Sequence, residues 1–454
     1  IPISRCSSNN NNNKSRRVVA TSPKVIVTLA AVLACGLATL SRLKVPLTQV
    51  LVVVDRATGI GTNDPVKLHN RSSSSSSSKR HCVLLFGAFA NGNLGDVAQP
   101  ESVIRHLHKI DPELCVWTSS KYYPLDAETH VGQMLADPQR HAGDLDCNIE
   151  SAQIVNQFGA LLIGGGGLFS AHHQPLECPA FVDNLRPDLP IGILPVGANC
   201  RDCLQAARPL LQRALFVAIR ESYDIQIVTQ EAPKETQGKV LKLPDPILAD
   251  YDSQNKKNTS MCQSWKPDNP TCFVIPSSRN KYKEAHGSIQ SWASPKDKII
   301  NVFPKHGVKI QKHYPNASII NLFTPQDYKT LICDCGAIVS WRYHGVIFGL
   351  TQGIPSMGME LEDSGKIYSL SHEWLETGAD LWLTFSTNLT RSQMEAKVAE
   401  LKRNYALSLR EKVAQKLDSF GNQIHELLKK HQRALFPWLK PPSFSEFRGF
   451  VKHT

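Results

Sequence analysis

Arg342 and His344 stand two residues apart in the run Ser340-Trp341-Arg342-Tyr343-His344-Gly345, between an apolar, strand-like stretch and the helix-like residues 346–352. A guanidinium holds a phosphate or carboxylate through two parallel hydrogen bonds, and an imidazole exchanges a proton near neutral pH. Ligands of open α/β sheets bind where strands give way to helix N-termini. The pair therefore predicts an anionic substrate handled at the carboxyl end of a strand. The competing expectation is structural: an arginine paired to a buried carboxylate beside a core histidine.

Three further stretches place chemistry at similar positions. Residues 87–96 read GAFANGNLGD after a first apolar run and before a helical pattern. Its glycines let backbone amides approach a ligand, with Asn93 and Asp96 at the mouth; Asp96 either faces that ligand or caps the helix. The stretch has neither GxGxxG spacing nor a P-loop Lys-Ser/Thr ending, so it gives no firm nucleotide signal. Ile163-Gly164-Gly165-Gly166-Gly167-Leu168-Phe169 follows another strand pattern. Its glycines point either to close backbone approach, at Gly165 and Gly166 above all, or to a tight strand-to-helix turn. Arg220 ends a further strand, and adjacent Glu221 is expected to point away from it, which makes Arg220 a second anion clamp. Asp245, between two prolines, is either a rigidly presented carboxylate or part of a turn.

No G-x-S-x-G elbow or HExxH motif is present. Asp144-Leu145-Asp146 matches the DxD of metal-dependent sugar-nucleotide enzymes, but in a polar segment of unclear structure. The close pairs Cys200/Cys203 and Cys333/Cys335 lack a second CxxC at zinc-ribbon spacing, so no metal site is expected.

The elements that must position these residues alternate. Short apolar runs at 82–86, 114–118, 160–163, 191–196, 216–219 and 240–243 are separated by helical patterns such as 97–109 and 204–215. The alternation restarts at 272–276, 319–322, 337–340 and 354–357. This is the pattern of parallel βαβ units, whose buried strands are continuously apolar. It predicts two Rossmann-like domains facing a cleft, 81–250 and 271–390, joined by a polar linker at 251–270. Residues 391–454 form a C-terminal helical extension with apolar positions at Met394, Val398 and Leu401.

The net charge of +11 is local: residues 1–44 hold seven Lys or Arg and no acid, and 81–454 hold 39 basic against 38 acidic residues. A balanced body argues against nucleic-acid binding. Residues 25–40 carry no charge and as a helix span roughly 24 Å, enough for a signal-anchor in a thin bilayer. With the basic tail 1–24 cytosolic, the body is expected to be lumenal behind a low-complexity stem at 41–80. A cleaved signal peptide is the rival reading. Sequons at Asn70, Asn258, Asn316 and Asn388 and ten cysteines after the apolar segment agree with a lumenal body, in which some of those cysteines would form disulfides.

Asn93, Gly95 and Asp96, the IGGGGLF run, Arg220-Glu221-Ser222, and SWRYHG followed by Gly353-Ile354-Pro355 together resemble the polysaccharide pyruvyl transferase family, in order over about residues 82–372. The resemblance implies a fold like that of two-domain GT-B glycosyltransferases. It also implies transfer of a pyruvyl group from phosphoenolpyruvate to glycan hydroxyls as a cyclic ketal. Arg220, Arg342 and His344 would then bind the donor or assist its reaction; the chemistry of the step also needs a base toward the sugar hydroxyl, for which Asp96 is the candidate carboxylate. Phosphoenolpyruvate is donor substrate, and the scheme requires no cofactor or metal. A leucine often stands in the family where this chain has Tyr343, a departure that alters the pocket without removing its charges. The expected setting is a Golgi membrane. The alternatives are a sugar-nucleotide GT-B glycosyltransferase and a non-catalytic lumenal glycan-binding protein.

Overall fold

The structure, a computed structural model, describes residues 79–89, 93–120, 142, 144–169, 175–250, 262, 265–276, 282–302, 310–315, 317–322, 324–360, 365–384 and 389–439. The basic tail, the apolar segment 25–40, nearly all of the stem, residues 251–261 of the linker and all four sequons lie outside the described residues. Among the described residues no helix is long and apolar enough to cross a membrane.

Two parallel six-stranded sheets carry the chain. The first comprises β1 (Cys82–Gly87), β2 (Cys115–Ser120), β3 (Ala160–Ile163), β4 (Ile191–Val196), β5 (Val217–Ile219) and β6 (Val240–Lys242), in the order β2-β1-β3-β4-β5-β6. The second comprises β7 (Thr271–Val274), β8 (Lys298–Asn301), β9 (Ile319–Asn321), β10 (Ala337–Ser340), β11 (Ser356–Glu360) and β12 (Trp382–Thr384), in the order β12-β11-β10-β7-β8-β9. Both are doubly wound, so the central strands bury both faces, while the edge strands β6, β9 and β12 stay partly exposed. In β1, Val83 and Leu85 join one core while Leu84 and Phe86 join the other. The first of these cores continues through the second sheet to Phe436. Two Rossmann-like sheets with a helical C-terminal segment make a GT-B-like α/β architecture.

Strand order reverses between β1 and β3 in the first sheet and between β7 and β10 in the second. Crevices open at such reversals, outside the carboxyl ends of the strands. The glycine-bearing loops after β1 and β3 and the SWRYHG loop after β10 therefore sit at the two switch points. The helices that matter to them are α1 (Leu94–Ile110), α2 (Arg201–Ala206), α3 (Arg208–Arg213), α4 (Ser222–Glu231), α5 (Tyr343–Thr351), α6 (Lys366–Ser369), α7 (Arg391–Asn404) and α8 (Arg410–Lys430).

The structure corrects several expectations. β8 and β12 were not anticipated: KIIN and WLT are too short to signal a strand without their neighbours. β11 begins at Ser356 rather than 354, because Gly353, with φ 70°, makes the turn that precedes it. The helical pattern at 204–215 is two helices, α2 and α3, divided at Ala207 just before Pro209. Residues 265–270, read as linker, belong to the second sheet's body: Trp265 donates to the Gly336 carbonyl at 3.0 Å and Cys262 is bonded to Cys333.

All ten cysteines of the described residues are paired: Cys82–Cys115, Cys147–Cys178, Cys200–Cys203, Cys262–Cys333 and Cys272–Cys335. Cys333 and Cys335, two residues apart in sequence, thus reach two different partners. The C-terminal extension buries Met394, Val398 and Leu401 as its spacing predicts. α8 packs against α1 from the first sheet and α5 from the second, which braces the two.

Candidate active site

Asn93 caps α1 through its Oδ1, which accepts from the Gly95 N–H at 3.4 Å, and its Nδ2 donates to Asp96 Oδ2 at 3.0 Å. Capping thus falls to Asn93, and Asp96 lines a cleft. In the IGGGGLF run, Gly165 and Gly166 take φ 87° and 74°, a left-handed pair that other residues rarely adopt. Gly166 and Gly167 line the cleft, whereas Gly165 lies behind them against Phe89 and Gln99. Positive φ and close packing against Phe89, Gln99 and Ala88 both require glycine here.

On the second sheet, β10 ends in Ser340, whose hydroxyl accepts from the Arg342 N–H at 3.0 Å and donates to the Arg342 carbonyl at 2.8 Å. That clasp turns the chain into α5. Trp341 is anchored by stacking on Trp292 at 5.9 Å. Arg342 sits at the N-cap with extended backbone, and Tyr343 and His344 open the helix. A Cβ at Gly95 would overlap the His344 imidazole, so the glycine of the NxGD motif is what lets the second sheet's histidine seat on the first sheet's helix.

A buried network crosses between the sheets at this point. Asp245, fully buried, accepts from Gln99 Nε2 at 2.7 Å and Arg220 NH1 at 2.7 Å, and its Oδ2 lies 3.4 Å from His344 Nε2. Its other oxygen accepts from the Ile247 N–H at 3.0 Å. Burial would push the Asp245 carboxyl up. The hydrogen bond and charge of His344, the charge of Arg220 and the Ile247 N–H instead hold it well below the usual carboxylate range. An ionised carboxylate only accepts, so the ring proton of His344 belongs on Nε2 and Nδ1 is left on the Gly95 side. Gln99 ties the network to the glycine run, because its Oε1 accepts from the Gly166 N–H at 2.5 Å.

Arg220 requires a correction. It is only 1% exposed, and Glu221 does not point away: its Oε1 lies 3.5 Å from Arg220 Nε, in addition to the Asp245 contact. Burial would lower the guanidinium's pKa, but the charges of Glu221 and Asp245 raise it above its ordinary value. Two carboxylates already match this cation, so as a clamp for substrate it has little charge to offer.

The cleft measures about 310 Å³ and opens between the two sheets. Asn93, Asp96, Gly166, Arg220, Arg342 and His344 all line it, so the structure brings together every candidate named from sequence except Gly165. Sequence reasoning missed Gln99, and it left Asp245 between a presented carboxylate and a turn residue; the structure makes it the acceptor at the centre of the network. Also missed were Tyr282, Glu360 and Lys366 in the lining. Glu360 closes β11 and accepts from the N–H groups of Ile367 and Tyr368 at 2.9 and 2.8 Å, capping α6 from outside. Burial raises its pKa, opposed by those two N–H groups. Tyr343 places its ring 5.5 Å from the Arg220 guanidinium carbon, and burial pushes its phenol well above its ordinary value. Asp144-Leu145-Asp146 is not part of the cleft; Leu145 is buried in the first sheet's core. Among the described residues no group of three His, Cys, Asp or Glu is placed to hold a metal ion.

Arg342, Lys366 and a carboxylate-oriented histidine thus share one cleft at the paired switch points with Asp96 and Glu360. Residues 93–363, more than half of the chain, match the family Polysaccharide pyruvyl transferase, and the chain belongs to that family. No curated protein matches it. Among solved structures it is similar to S. aureus MnaA bound to UDP, with 11% identity over 80% of this chain and 99% of that one and a TM-score of 0.46. It is similar also to the UDP-GlcNAc 2-epimerase of Methanocaldococcus jannaschii, with 10% identity over 77% and 99% and a TM-score of 0.46. A UDP-N-acetylglucosamine 2-epimerase from Rickettsia bellii gives 12% identity over 77% and 98%, with a TM-score of 0.46.

Proposed function

We propose that this chain transfers the pyruvyl group of phosphoenolpyruvate to two hydroxyls of a glycan sugar, closing a cyclic ketal and releasing inorganic phosphate. The observation that carries the reading is the convergence of Arg342 and His344 with Asn93 and Asp96 on one cleft between the sheets. Phosphoenolpyruvate bears a phosphate and a carboxylate on a three-carbon frame, and a cation-lined cleft of this size suits it. Protonation of its methylene carbon makes C2 electrophilic, and one sugar hydroxyl adds there. Phosphate leaves with the second hydroxyl's proton as that oxygen closes the ring, so donor and diol become ketal and phosphate with no other reactant.

Arg342 holds the donor's anionic end. His344, in its doubly protonated form with the Nε2–H held by Asp245, gives its Nδ1 proton to the methylene carbon or the departing phosphate and is left as the neutral Nε2–H tautomer. Asp96, steadied by Asn93, takes the proton of the attacking hydroxyl. Charge neutralisation by side chains makes a metal or cofactor unnecessary in this scheme.

The proposed location is the Golgi lumen, behind an anchor at residues 25–40. The five disulfides support an oxidising compartment, since such pairs persist in the secretory pathway and are rare in the cytosol. Incubation of the purified chain with phosphoenolpyruvate and a glycan panel should yield sugar products with the mass of a pyruvate ketal and one phosphate per ketal. Transfer from sugar nucleotides alone sinks the proposal in favour of a glycosyltransferase. Digestion of the body by protease outside sealed vesicles sinks the lumenal placement.

A further inference from the structure

The cleft's charge does not come from where the two-arginine scheme puts it. Arg220 is matched by Asp245 at 2.7 Å and Glu221 at 3.5 Å, so that cluster carries one excess negative charge unless His344 is protonated, and no excess positive charge even then. A phosphate approaching it meets no net attraction. Among the described residues the remaining cationic side chains lining the cleft are Arg342 and Lys366, both on the second sheet's side.

Lys366 is built into an unusual place. It occupies the first position of α6, where the helix dipole disfavours a cation. Glu360 offsets that by capping the N–H groups of Ile367 and Tyr368, and a Cβ at Gly365 would collide with the Glu360 carboxylate, so glycine is needed directly before the lysine. A strand end, a glycine and a carboxylate thus fix the start of α6 while Lys366 stays at the cleft, half-exposed, its charge felt by Glu360 and Asp224 but in no ion pair within 4.0 Å among the described residues. Placements that break a local rule and are compensated nearby belong to functional sites more often than to plain scaffold.

We infer that Lys366 is the second cation of the donor site, holding the phosphate of phosphoenolpyruvate while the planar fork of Arg342 takes the carboxylate, and that Arg220 positions Asp245 and His344 without touching the donor. An ammonium is a point charge with three rotatable donors, suited to a phosphate's oxygens, whereas a guanidinium fork matches a carboxylate edge to edge. This inference rests on the donor assignment proposed above.

The test uses the full chain as wild type, Lys366→Met, Lys366→Arg and, as a charge control on the exposed face of α8, Lys416→Met. With phosphoenolpyruvate as varied substrate, Lys366→Met should raise KM about tenfold or more with a much smaller change in kcat, Lys366→Arg should recover most of the loss, and Lys416→Met should match wild type. Inorganic phosphate should inhibit Lys366→Met about tenfold less strongly than wild type, and inhibition by pyruvate should be unchanged. An unchanged KM in Lys366→Met, an equal loss in Lys416→Met, or weakened inhibition by pyruvate in place of phosphate overturns the inference. If wild type does not turn over phosphoenolpyruvate, the donor assignment fails and calorimetric binding of inorganic phosphate decides for Lys366. Loss of that binding in Lys366→Met keeps the residue as an anion site, and equal or absent binding in both proteins removes it.

Discussion

The two arginines at the carboxyl edges of the two sheets look alike in sequence and differ in circumstance. Arg220 follows β5, is 1% exposed and shares its charge with two carboxylates. Arg342 follows β10, caps α5 and lines the cleft half-exposed. An arginine after a strand therefore identifies an edge and not a role. Arg220 is buried against two carboxylates, Glu221 beside it and Asp245 on a different element, whereas Arg342 stays at the cleft surface. The first edge is a buried ionic lattice that holds His344 in place; the second presents cations to whatever enters.

The hardest test of that contrast is to cut the lattice at its centre. Asp245→Asn leaves Arg220 buried beside Glu221 alone and removes the ionised acceptor from His344. Breaking a buried ion pair on one side costs about 3–5 kcal/mol, so the unfolding midpoint in urea should fall steeply. Stability like wild type would mean that Glu221 alone carries the arginine and that the lattice is not structural. At the second edge the expected damage is to chemistry. Arg342→Lys keeps the charge and loses the fork, and kcat/KM for phosphoenolpyruvate should drop by about 30- to 1000-fold, equivalent to about 2–4 kcal/mol, with an unfolding curve near that of wild type. Unfolding of Arg342→Lys with Asp245→Asn intact would invert the comparison.

A smaller effect distinguishes the edges by pH. Asp224, on α4, is pushed up to about 6, first by burial and next by the charge of Glu221, against the pull of the Ala198 N–H it accepts at 2.6 Å. Its folded pKa lies above its ordinary value of 3.8, so the folded state binds the extra proton between about pH 4 and 6. Its contribution is complete below about pH 4 and is lost as pH rises through about 6. Asp245 runs the other way: its folded pKa is depressed, so its contribution is present above about pH 4 and fades as pH falls below that. Protonation of Asp224, which removes a buried charge and its repulsion from Glu221, should make the protein about 2 kcal/mol more stable at pH 4.5 than at pH 7, before acid destabilises it through Asp245. Asp224→Asn should flatten the upper limb in urea titrations. A limb that persists in that variant assigns the pH dependence to another group.

How much of this was legible follows from how local each signal is. The alternation of apolar runs and helical patterns announced two doubly wound halves, because strands buried on both faces must be continuously apolar. β8 and β12 escaped because their burial is conferred by neighbours distant in sequence. In the site, Asn93, Asp96, Gly166, Arg342 and His344 were found from their places at element boundaries, which sequence shows. Glu221 was misplaced because the rule that adjacent side chains diverge applies within a strand, and Glu221 lies past the end of β5 at the N-cap of α4. Asp245, Gln99 and Lys366 gained their roles only when chain segments far apart met. Gln99 and Asp245 are 146 residues apart, and nothing near either one predicts the other.

Tyr343 joins the two edges and gives the smallest test. It belongs to α5 of the second sheet, yet its ring faces the first sheet's guanidinium at 5.5 Å and the His344 ring at 5.3 Å. The phenol stays neutral, since burial pushes its pKa well up, so it adds no charge to either edge. What it contributes is the negative face of an aromatic ring toward a desolvated cation, worth about 1 kcal/mol. Tyr343→Leu should therefore lower stability by about that amount, while Tyr343→Phe, which keeps the ring, should lose less. If the ring serves only the lattice, both variants should keep the wild-type KM for phosphoenolpyruvate, and the Tyr343→Leu cost should vanish in an Arg220→Met background, read as a double-mutant cycle in urea. A KM that rises in Tyr343→Phe as much as in Tyr343→Leu would instead give the hydroxyl a place at the donor, and the division between a structural first edge and a substrate-facing second edge would then run through Tyr343 itself.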